Sequence, residues 1–419
     1  MNRGFMTGKD TSTTRTIDTE NLRFDQGAYI LIKRALADVE VGERLAVRSR
    51  DTESAIHLRS WCRSQGHQFI APEANISHTT DESPLVAWII RGGAESGRWR
   101  GAERAGLVDP SLSGAVFDYP LARWGLAARG ARIEDGGPEF HFPIDSKKMV
   151  WADSVPRLYA QAAAAQWDPA TAIDWNAEFE LPVEVESAVV QLMTYLIENE
   201  NAALVVPAKF LAQVHPHFRE VLQLLAIQIA DEARHIEVFT RRAMLRQTEM
   251  GLSTVSGQAS LKTLIDETDF ALASFLLSVL GEGTFLNLLW FLEKHAPDPV
   301  TRRIAQLTSQ DEARHVAFGV AHLQYQISRE PHTLSRLAAA IDRRHTALSE
   351  TAGLNEEVFD SLVLLAAGAW TIEAIADGYA KVQKLKEEMD AGRRARLLKL
   401  GFSTDEAADL SALHTRNFM

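Results

Sequence analysis

The chain contains the pentapeptide Asp231-Glu232-Ala233-Arg234-His235, and further on the same five residues return as Asp311-Glu312-Ala313-Arg314-His315. In each copy Glu and His stand at positions i and i+3 of a segment rich in Ala, Leu, Glu and Arg. Both side chains therefore lie on one face of a predicted helix. Each copy can offer one carboxylate and one imidazole to a shared metal ion.

Antiparallel helices predict where a further carboxylate joins the second copy. If Pro297 marks the turn, Glu312 follows it and Glu282 precedes it at the same separation along the chain. At about 1.5 Å per residue, both lie about 22 Å from the turn and so share one level. Gly281 and Gly283 flank Glu282. Because glycine inside a helix costs about 1 kcal/mol, we expect a close backbone approach or a local bulge there.

The first copy of the pentapeptide also has a carboxylate at its own level on the neighbouring predicted helix. With Pro216 at the turn, Glu232 follows it and Glu200 precedes it, again at equal separations along the chain. Glu198 is the alternative ligand, half a turn away. The helical neighbours of Glu200 are more apolar, which favours Glu200. Pro207 falls inside this predicted helix and should kink it or end it.

The predicted ligand set comprises four carboxylates and two imidazoles: Glu200, Glu232, His235, Glu282, Glu312 and His315. These donors suit iron or manganese better than structural zinc. Asp231 and Asp311 are expected to accept the N–H of a metal-bound imidazole, that of the opposite copy. Arg234 and Arg314 either brace these aspartates or lie on the helix surface. Solvated charged faces are the simpler alternative, but they leave the repeat and the matched heights unexplained.

The overall composition narrows the classes of function. The 419 residues are 46% hydrophobic and 24% charged, and their net charge of −12 argues against a nucleic-acid partner. Cys62 is the single cysteine, so an internal disulfide is excluded and a reducing, cytoplasmic location is expected. The first residues lack the apolar stretch of a secretory signal. Because the longest apolar runs are interrupted at 281–283, no membrane span is expected.

Changes in residue pattern divide the chain into four parts. We expect a disordered tail at 1–21, a small α/β domain at 22–105, a connecting segment at 106–150 and an all-helical domain at 151–419. β-rich stretches at 44–47 and 86–90 alternate with helical ones in the second part. The helices of the last part are predicted near 153–166, 182–213, 217–249, 258–295, 298–329, 332–350 and 354–389.

The motif resembles that of the ferritin-like di-iron carboxylate superfamily, and the chain is most similar to its p-aminobenzoate N-oxygenase-like branch. The residues that carry the resemblance are Glu200, Asp231-Glu232-x-x-His235, Glu282 and Asp311-Glu312-x-x-His315, with further matching stretches at 158–161, 167 and 173–175. The resemblance covers about 152–419. It implies a mainly α fold, a four-helix bundle with extra helices, that holds two iron ions, Fe/Fe with Mn/Fe as the alternative, and uses O2 as co-substrate.

One ligand position departs from the N-oxygenase pattern. That branch has an additional histidine one turn before its last motif glutamate, and here the position is Thr308. His322 follows His315 on the same helix face, about two turns or roughly 10 Å further along. It therefore cannot replace the missing ligand, and a role beside the ligands or near substrate stays open for it. The departure puts N-oxygenation in doubt and leaves O2 activation as the expectation.

The N-terminal part resembles a TusA-like sulfur carrier over about 22–93, through the stretches 41–47 and 61–67. Sulfur carriers act through a cysteine in a Cys-Pro-x-Pro motif at the start of the first helix. Here the matching residues are Gly27-Ala28-Tyr29-Ile30, so sulfur transfer at this place is not expected. Cys62, in the second predicted helix, is expected to be a buried packing residue. A docking or lid module is the remaining role.

These observations favour an O2-dependent di-iron oxygenase or oxidase acting on a small organic substrate. Reducing equivalents would come from a partner protein or a small reductant, since no flavin or nicotinamide fingerprint is evident. N-oxygenation of an amine, hydroxylation and desaturation stay open, and so does a homodimer. The rivals are a ferroxidase or iron-handling protein, and an interaction protein in which the metal site is only a structural staple.

Overall fold

The computed structural model describes residues 15–72, 83–94, 99, 101–246, 249–349 and 356–413. Two compact units divide the chain, Met1–Arg104 with Arg132–Gly137 and Ala105–Ala131 with Pro138–Met419. The first unit contains a small sheet and the second is built of helices. The predicted fold class, mainly α with a small α/β domain in front, is confirmed.

A four-stranded sheet and two helices form the first unit. Its elements in chain order are β1 (Arg15–Asp18), α1 (Ala28–Ala37), β2 (Arg44–Arg48), α2 (Ser54–Gln65), β3 (Gln68–Ile70) and β4 (Leu85–Ile90). The strand order is β1-β2-β4-β3, with β1 parallel to β2 and the other pairs antiparallel. The helices bury Ile32 and Cys62 against Leu45 and Ile89 of the sheet.

The first unit corrects one expectation and confirms another. The expected disordered tail at 1–21 is wrong for residues 15–18, which form β1 and pair with β2. Pairing with β2 supplies the hydrogen bonds of this strand, and a run of four residues is too short for its sequence pattern to predict the pairing. Residues 1–14 lie outside the described part. Cys62 is buried as expected, and burial raises the pKa of its thiol to about 12.

Ten described helices form the second unit. They are α3 (Val155–Ala164), α4 (Val183–Leu211), α5 (Arg219–Ala243), α6 (Val255–Asp266), α7 (Phe270–His295), α8 (Pro299–Arg329), α9 (Thr333–Ser349), α10 (Glu356–Ala367), α11 (Ile372–Leu400) and α12 (Thr404–Ala412). α4 packs along α5, α7 packs along α8, and α5 also packs on α8. These four helices form the bundle, and α11 lies against α7.

Helix ends differ from the predicted ones where side chains cap the backbone. The predicted helix at 258–295 is two helices, because the Asp269 side chain accepts from Leu272 N and starts α7 anew. Thr371 caps α11 in the same way and divides the predicted helix at 354–389, next to Gly368 in a left-handed conformation. Pro207 does not end α4, which continues to Leu211.

The predicted connecting segment at 106–150 is packed rather than free. Most of it belongs to the helical unit, where Val116, Ile144 and Val150 are buried in the core. The buried Arg129 guanidinium donates to the Glu220 carboxylate at the start of α5, with 2.7 Å between Nη1 and Oε2. Such a pair persists only when both charges are satisfied, so this ion pair fixes the segment on the bundle.

Helix α7 is long and apolar enough to span a membrane by composition alone, and 83% of its most apolar window is buried inside the protein. A core helix of a folded domain passes the same test. Here the apolar side chains of α7 pack against α8 and α11. Burial within the bundle therefore accounts for the apolar composition of this helix.

Candidate metal centre

The six predicted ligand residues come together in the middle of the bundle. α4 supplies Glu200, α5 supplies Glu232 and His235, α7 supplies Glu282, and α8 supplies Glu312 and His315. None of these residues is more than 5% exposed. Two overlapping groups result, one with Glu200 and His235, the other with Glu282 and His315, and both include Glu232 and Glu312. Within each group the ligand atoms all lie within 4.8 Å of one another.

Glu232 and Glu312 lie between the two imidazoles. The Nδ1 atom of His235 is 3.1 Å from Glu232 Oε2 and 3.3 Å from Glu312 Oε1. The Nδ1 atom of His315 is 3.0 Å from Glu232 Oε1 and 3.4 Å from Glu312 Oε2. Each of these carboxylates thus turns one oxygen toward each imidazole. This is the geometry of two bridging carboxylates between two ions.

The remaining carboxylates, Glu200 and Glu282, each belong to only one of the two groups. Glu200 Oε2 lies 3.6 Å from His235 Nδ1, whereas Glu198 lines a separate cavity on the other side of α4 with Lys262. The structure therefore places Glu200, and not Glu198, in the cluster. Glu282 accepts a hydrogen bond from Gln228 Nε2 at 3.1 Å. Gln228 was missed in the sequence because an amide on a helix carries no metal signal by itself.

The aspartates of the two pentapeptides bond crosswise. His235 Nε2 lies 3.2 Å from Asp311 Oδ2, and His315 Nε2 lies 3.3 Å from Asp231 Oδ2. Each imidazole thus faces the aspartate of the opposite copy, as we expected. An imidazole that donates its Nε2–H to a carboxylate keeps the Nδ1 lone pair free for a metal ion. The aspartates therefore fix the ring orientation that the centre needs.

Two polar side chains just after the end of α3, Gln166 and Trp167, hold these aspartates by hydrogen bonds. Gln166 Nε2 donates to Asp231 Oδ1 at 2.9 Å, and Trp167 Nε1 donates to Asp311 Oδ2 at 2.8 Å. The Arg234 guanidinium binds both aspartates and lies 4.6 Å above the Trp167 ring. Both motif arginines therefore brace the aspartates, since Arg314 also binds Asp311.

Unsatisfied buried atoms test whether metal ions fit this site. Among the described residues, Glu232 Oε1, Glu282 Oε2, Glu312 Oε2 and His315 Nδ1 are buried without a well-directed hydrogen bond, although His315 Nδ1 lies 3.0 Å from Glu232 Oε1. Buried polar atoms are nearly always paired, and these four all face the cluster. The four carboxylates carry a formal charge of −4, which two divalent cations would offset. The residues present thus fit a pair of divalent cations.

Without ions, the cluster must share protons. Burial and the neighbouring carboxylate raise the pKa of Glu200 well above its usual 4.5, and the same causes act on Glu282. Burial alone would lower the pKa values of His235 and His315, but the surrounding carboxylates raise both well above 6.5. Asp311 has its pKa lowered, because the His235 and Arg234 bonds outweigh its burial.

The backbone at Glu282 is not a regular α-helix. Phe275–Glu282 forms a π-helical segment inside α7, which confirms the bulge expected from Gly281 and Gly283. A Cβ atom at Gly283 would lie 2.6 Å from Cζ of Arg396 on α11. The close approach was expected as well. Glycine leaves room for the guanidinium, which a larger residue at this position would displace.

Thr308 and His322 lie outside the ligand cluster. Thr308 is fully buried on α8, and its Oγ1 has no partner among the described residues. His322 packs its ring against Phe270, and its Nδ1 lies 3.1 Å from the Trp151 carbonyl oxygen. Burial lowers the pKa of His322 to about 4, so its ring is neutral near pH 7. It is not part of the six-residue set.

A small cavity inside the bundle is connected with the cluster through Gln228. Its volume is about 20 Å³, and its walls are apolar side chains of α4, α5, α7 and α8 together with Gln228, Ser274 and Ser278. Gln228 is also the donor to Glu282, so the cavity wall and the cluster share this residue. A space of this size admits about one water-sized molecule.

The four helices and the buried Glu/His set together define a ferritin-like bundle whose core suits a di-metal site. No family model and no curated protein matches the sequence. Among solved structures, variants of an R2-like ligand-binding oxidase align with the chain. One with aerobically reconstituted Mn/Fe cofactor has a TM-score of 0.46 and 17% identity, over 61% of this chain and 95% of that one. One with aerobically reconstituted Fe/Fe cofactor has a TM-score of 0.45 and 16% identity, over 61% and 95%.

Proposed function

We propose that this protein is an O2-dependent, non-haem oxidoreductase whose bundle holds two metal ions and oxidises a small organic substrate. The ions are Fe/Fe, with Mn/Fe as the alternative, because carboxylate and imidazole donors suit both metals. One observation carries the proposal. Six buried donors lie within bonding reach of two adjacent positions, and four of their atoms have no other partner among the described residues.

The chain's own residues would hold and orient this pair. Glu232 and Glu312 belong to both groups and would be shared by the two ions, while Glu200 with His235 and Glu282 with His315 would each hold one of them. When bound, the metal pair supplies the electrons that reduce O2. The aspartates would hold the Nε2–H of each imidazole, so that Nδ1 faces the metal position. The apolar walls around Glu282 exclude bulk water from the reaction.

The mostly aliphatic and aromatic surroundings of Gln228, the donor to Glu282, favour uncharged groups over ions. The cavity there, about 20 Å³ in volume, holds about one water-sized molecule, so an organic substrate would have to widen it. N-oxygenation of an amine is the finer version of the proposal, by resemblance to the p-aminobenzoate N-oxygenase-like branch. Thr308 stands where that branch has a further histidine, so hydroxylation and desaturation remain competing reactions. Electrons must arrive from a donor protein or a small reductant.

The first unit is proposed to be either a docking module for such a donor or a lid. Its strands and helices follow the order β-α-β-α-β-β, which is compatible with the TusA-like resemblance, and it lacks the cysteine of the sulfur carriers. A cytoplasmic location and a homodimer belong to the same proposal. An interaction protein with a structural metal site is the rival. Unchanged partner binding after metal removal would favour that rival.

Anaerobic loading with Fe(II) followed by exposure to O2 tests the enzyme proposal. We expect about two iron ions per chain, a transient absorption change after mixing with O2, and its faster decay when the true substrate class, amines or acids, is added. Glu200→Ala is the test variant and Glu198→Ala is the matched control, because only Glu200 faces the cluster. Absence of iron uptake by the native chain would refute the proposal. Uptake of many ions per chain would instead support the ferroxidase or storage rival.

A further inference from the structure

The π-helical segment of α7 leaves a backbone acceptor without its usual donor. In an α-helix the N–H of Gly283 would bond to the carbonyl of Val279, four residues back. Here that N–H points to the Ser278 carbonyl, five residues back, and to two nearer carbonyls, but not to Val279. A side-chain donor also reaches this carbonyl. Nε of Arg396 on α11 lies 2.7 Å from the Val279 oxygen and donates to it.

The sequence is adapted to this contact on both sides. Gly283 has no Cβ, and a Cβ there would overlap the Arg396 guanidinium. Next along α7, Thr284 is fully buried, and its Oγ1 lies 3.5 Å from a guanidinium nitrogen of Arg396 and 3.5 Å from one of Arg393. Two arginines of α11 thus converge on the backbone turn that directly follows Glu282.

Among the described residues, no carboxylate lies within 4.0 Å of either guanidinium. The ion pairs within α11 are formed by Lys381, Lys384 and Arg394 instead. Burial lowers the pKa values of Arg393 and Arg396 to about 10, and both remain protonated near pH 7. Arg393 is fully buried and Arg396 is partly buried, and an arginine in such a position acts through the contacts that it makes. For Arg396 these are the Val279 carbonyl and Thr284, on either side of the ligand Glu282.

We propose that Arg396 is a positioning residue for the metal centre: it holds the π segment Phe275–Glu282 in the register that turns the Glu282 carboxylate toward His315 and Glu312. The other half of the centre has no such device, because Glu200 lies in the uninterrupted α-helix α4. Loss of Arg396 therefore weakens one metal position and spares the other. The metal part of this inference rests on the proposed function, whereas the backbone part does not.

Hydrogen–deuterium exchange on the full-length, metal-free protein tests the backbone part. Arg396→Ala should raise exchange of amides at 275–284 at least about tenfold, the loss expected for a charged hydrogen bond, and should leave 231–235 unchanged. Arg396→Gln keeps a donor without the charge and should restore part of the protection. Arg394→Ala is the matched control, because Arg394 is an exposed neighbour on the same helix, paired with Asp390. Unchanged exchange at 275–284 in Arg396→Ala would overturn the proposal.

Titration with Mn(II), followed by electron paramagnetic resonance, tests the consequence for the centre. The native chain should bind two exchange-coupled ions. Arg396→Ala should keep one ion, now with an uncoupled signal, and bind the second at least about tenfold more weakly. Two ions bound with native affinity, or an equal loss of both in a folded variant, would contradict the positioning role. If the native chain binds no manganese, the di-metal proposal fails, while the exchange measurement still decides whether Arg396 holds the segment.

Discussion

The two halves of the metal centre share a ligand pattern but differ in how the backbone presents it. In the Glu200 half, formed by Glu200 and His235, the lone carboxylate comes from a continuous α-helix. In the Glu282 half, formed by Glu282 and His315, it comes from the end of a π segment. The imidazoles and their aspartates are arranged alike in both halves. The asymmetry therefore lies in the two helices that do not carry the pentapeptide.

This difference indicates a division of tasks. In the Glu200 half, a regular helix presents the carboxylate. The Glu282 half is built on a backbone that contacts Arg396 from outside the bundle at Val279 and Gly283, and its hydrogen-bond donor Gln228 lines the small cavity. π segments are common at functional sites. We therefore expect substrate to approach the Glu282 half.

Removal of a bridging carboxylate should have the largest effect. Glu232→Ala and Glu312→Ala each remove an oxygen from both halves, so we expect loss of both ions. Glu200→Ala and Glu282→Ala should each lose only the ion of their own half. Metal analysis after dialysis against Fe(II) under nitrogen measures this, with Glu198→Ala as control. Retention of two ions in Glu232→Ala would break the description of two halves joined by bridges.

The crossed aspartates come next in size. Asp311→Asn should weaken the ion of the Glu200 half by roughly 10–100-fold, because Asp311 accepts from His235. Asp231→Asn should weaken the ion of the Glu282 half instead, through His315. Chelator competition measures each affinity. The same ion weakened by both variants would show that the crosswise bonds do not govern the centre.

Much of this centre could be predicted from the chain alone. Identical pentapeptides fix four ligands, and equal distances from Pro216 and Pro297 locate Glu200 and Glu282, because helix rise is nearly constant. The crosswise role of the aspartates also follows, since antiparallel helices bring each His opposite the other copy. These inferences succeed where local periodicity and bundle geometry point to the same residues.

The rest depends on contacts between distant segments. Gln166, just after the end of α3, and Gln228, within α5, are ordinary polar residues until folding places them beside Asp231 and Glu282. The glycines of α7 predict a bulge, but nothing in the sequence predicts Arg396, far away in the chain, as its partner. Helix breaks at Asp269 and Thr371 were missed because a capping residue resembles any other polar residue within a helical pattern.

Stability of the metal-free protein should fall as pH rises. Glu200, Glu282, His235 and His315 have pKa values raised above the usual 4.5 and 6.5. Such groups stabilise the fold below their unfolded-state pKa, and this contribution is lost as pH rises through the folded-state pKa. The lowered pKa values of Glu232 and Asp311 act in the opposite direction, but only toward acid pH.

Bound divalent ions replace these protons, so the metal-loaded protein should not show the same fall. We expect the difference in Tm between loaded and metal-free protein to widen by several degrees from about pH 6 to about pH 9. Thermal scans in both states measure it. A metal-free protein that gains stability over this interval would show that the cluster does not hold protons in place of metal ions.

The smallest expected effect is that of Gln228, whose side-chain amide donates to the carboxylate of the Glu282 half. Gln228→Leu removes the hydrogen bond to Glu282 Oε1 while keeping a side chain of similar size. A hydrogen bond to a charged group contributes at least about 1.5 kcal/mol, so the ion of the Glu282 half should bind about tenfold more weakly, and the other ion should be unaffected. Stepwise Mn(II) titration separates the two. Gln228 also lines the cavity, so a parallel change in substrate KM would indicate that the substrate binds near the Glu282 half. An equal effect on the affinity of both ions would contradict the distinction between the two halves.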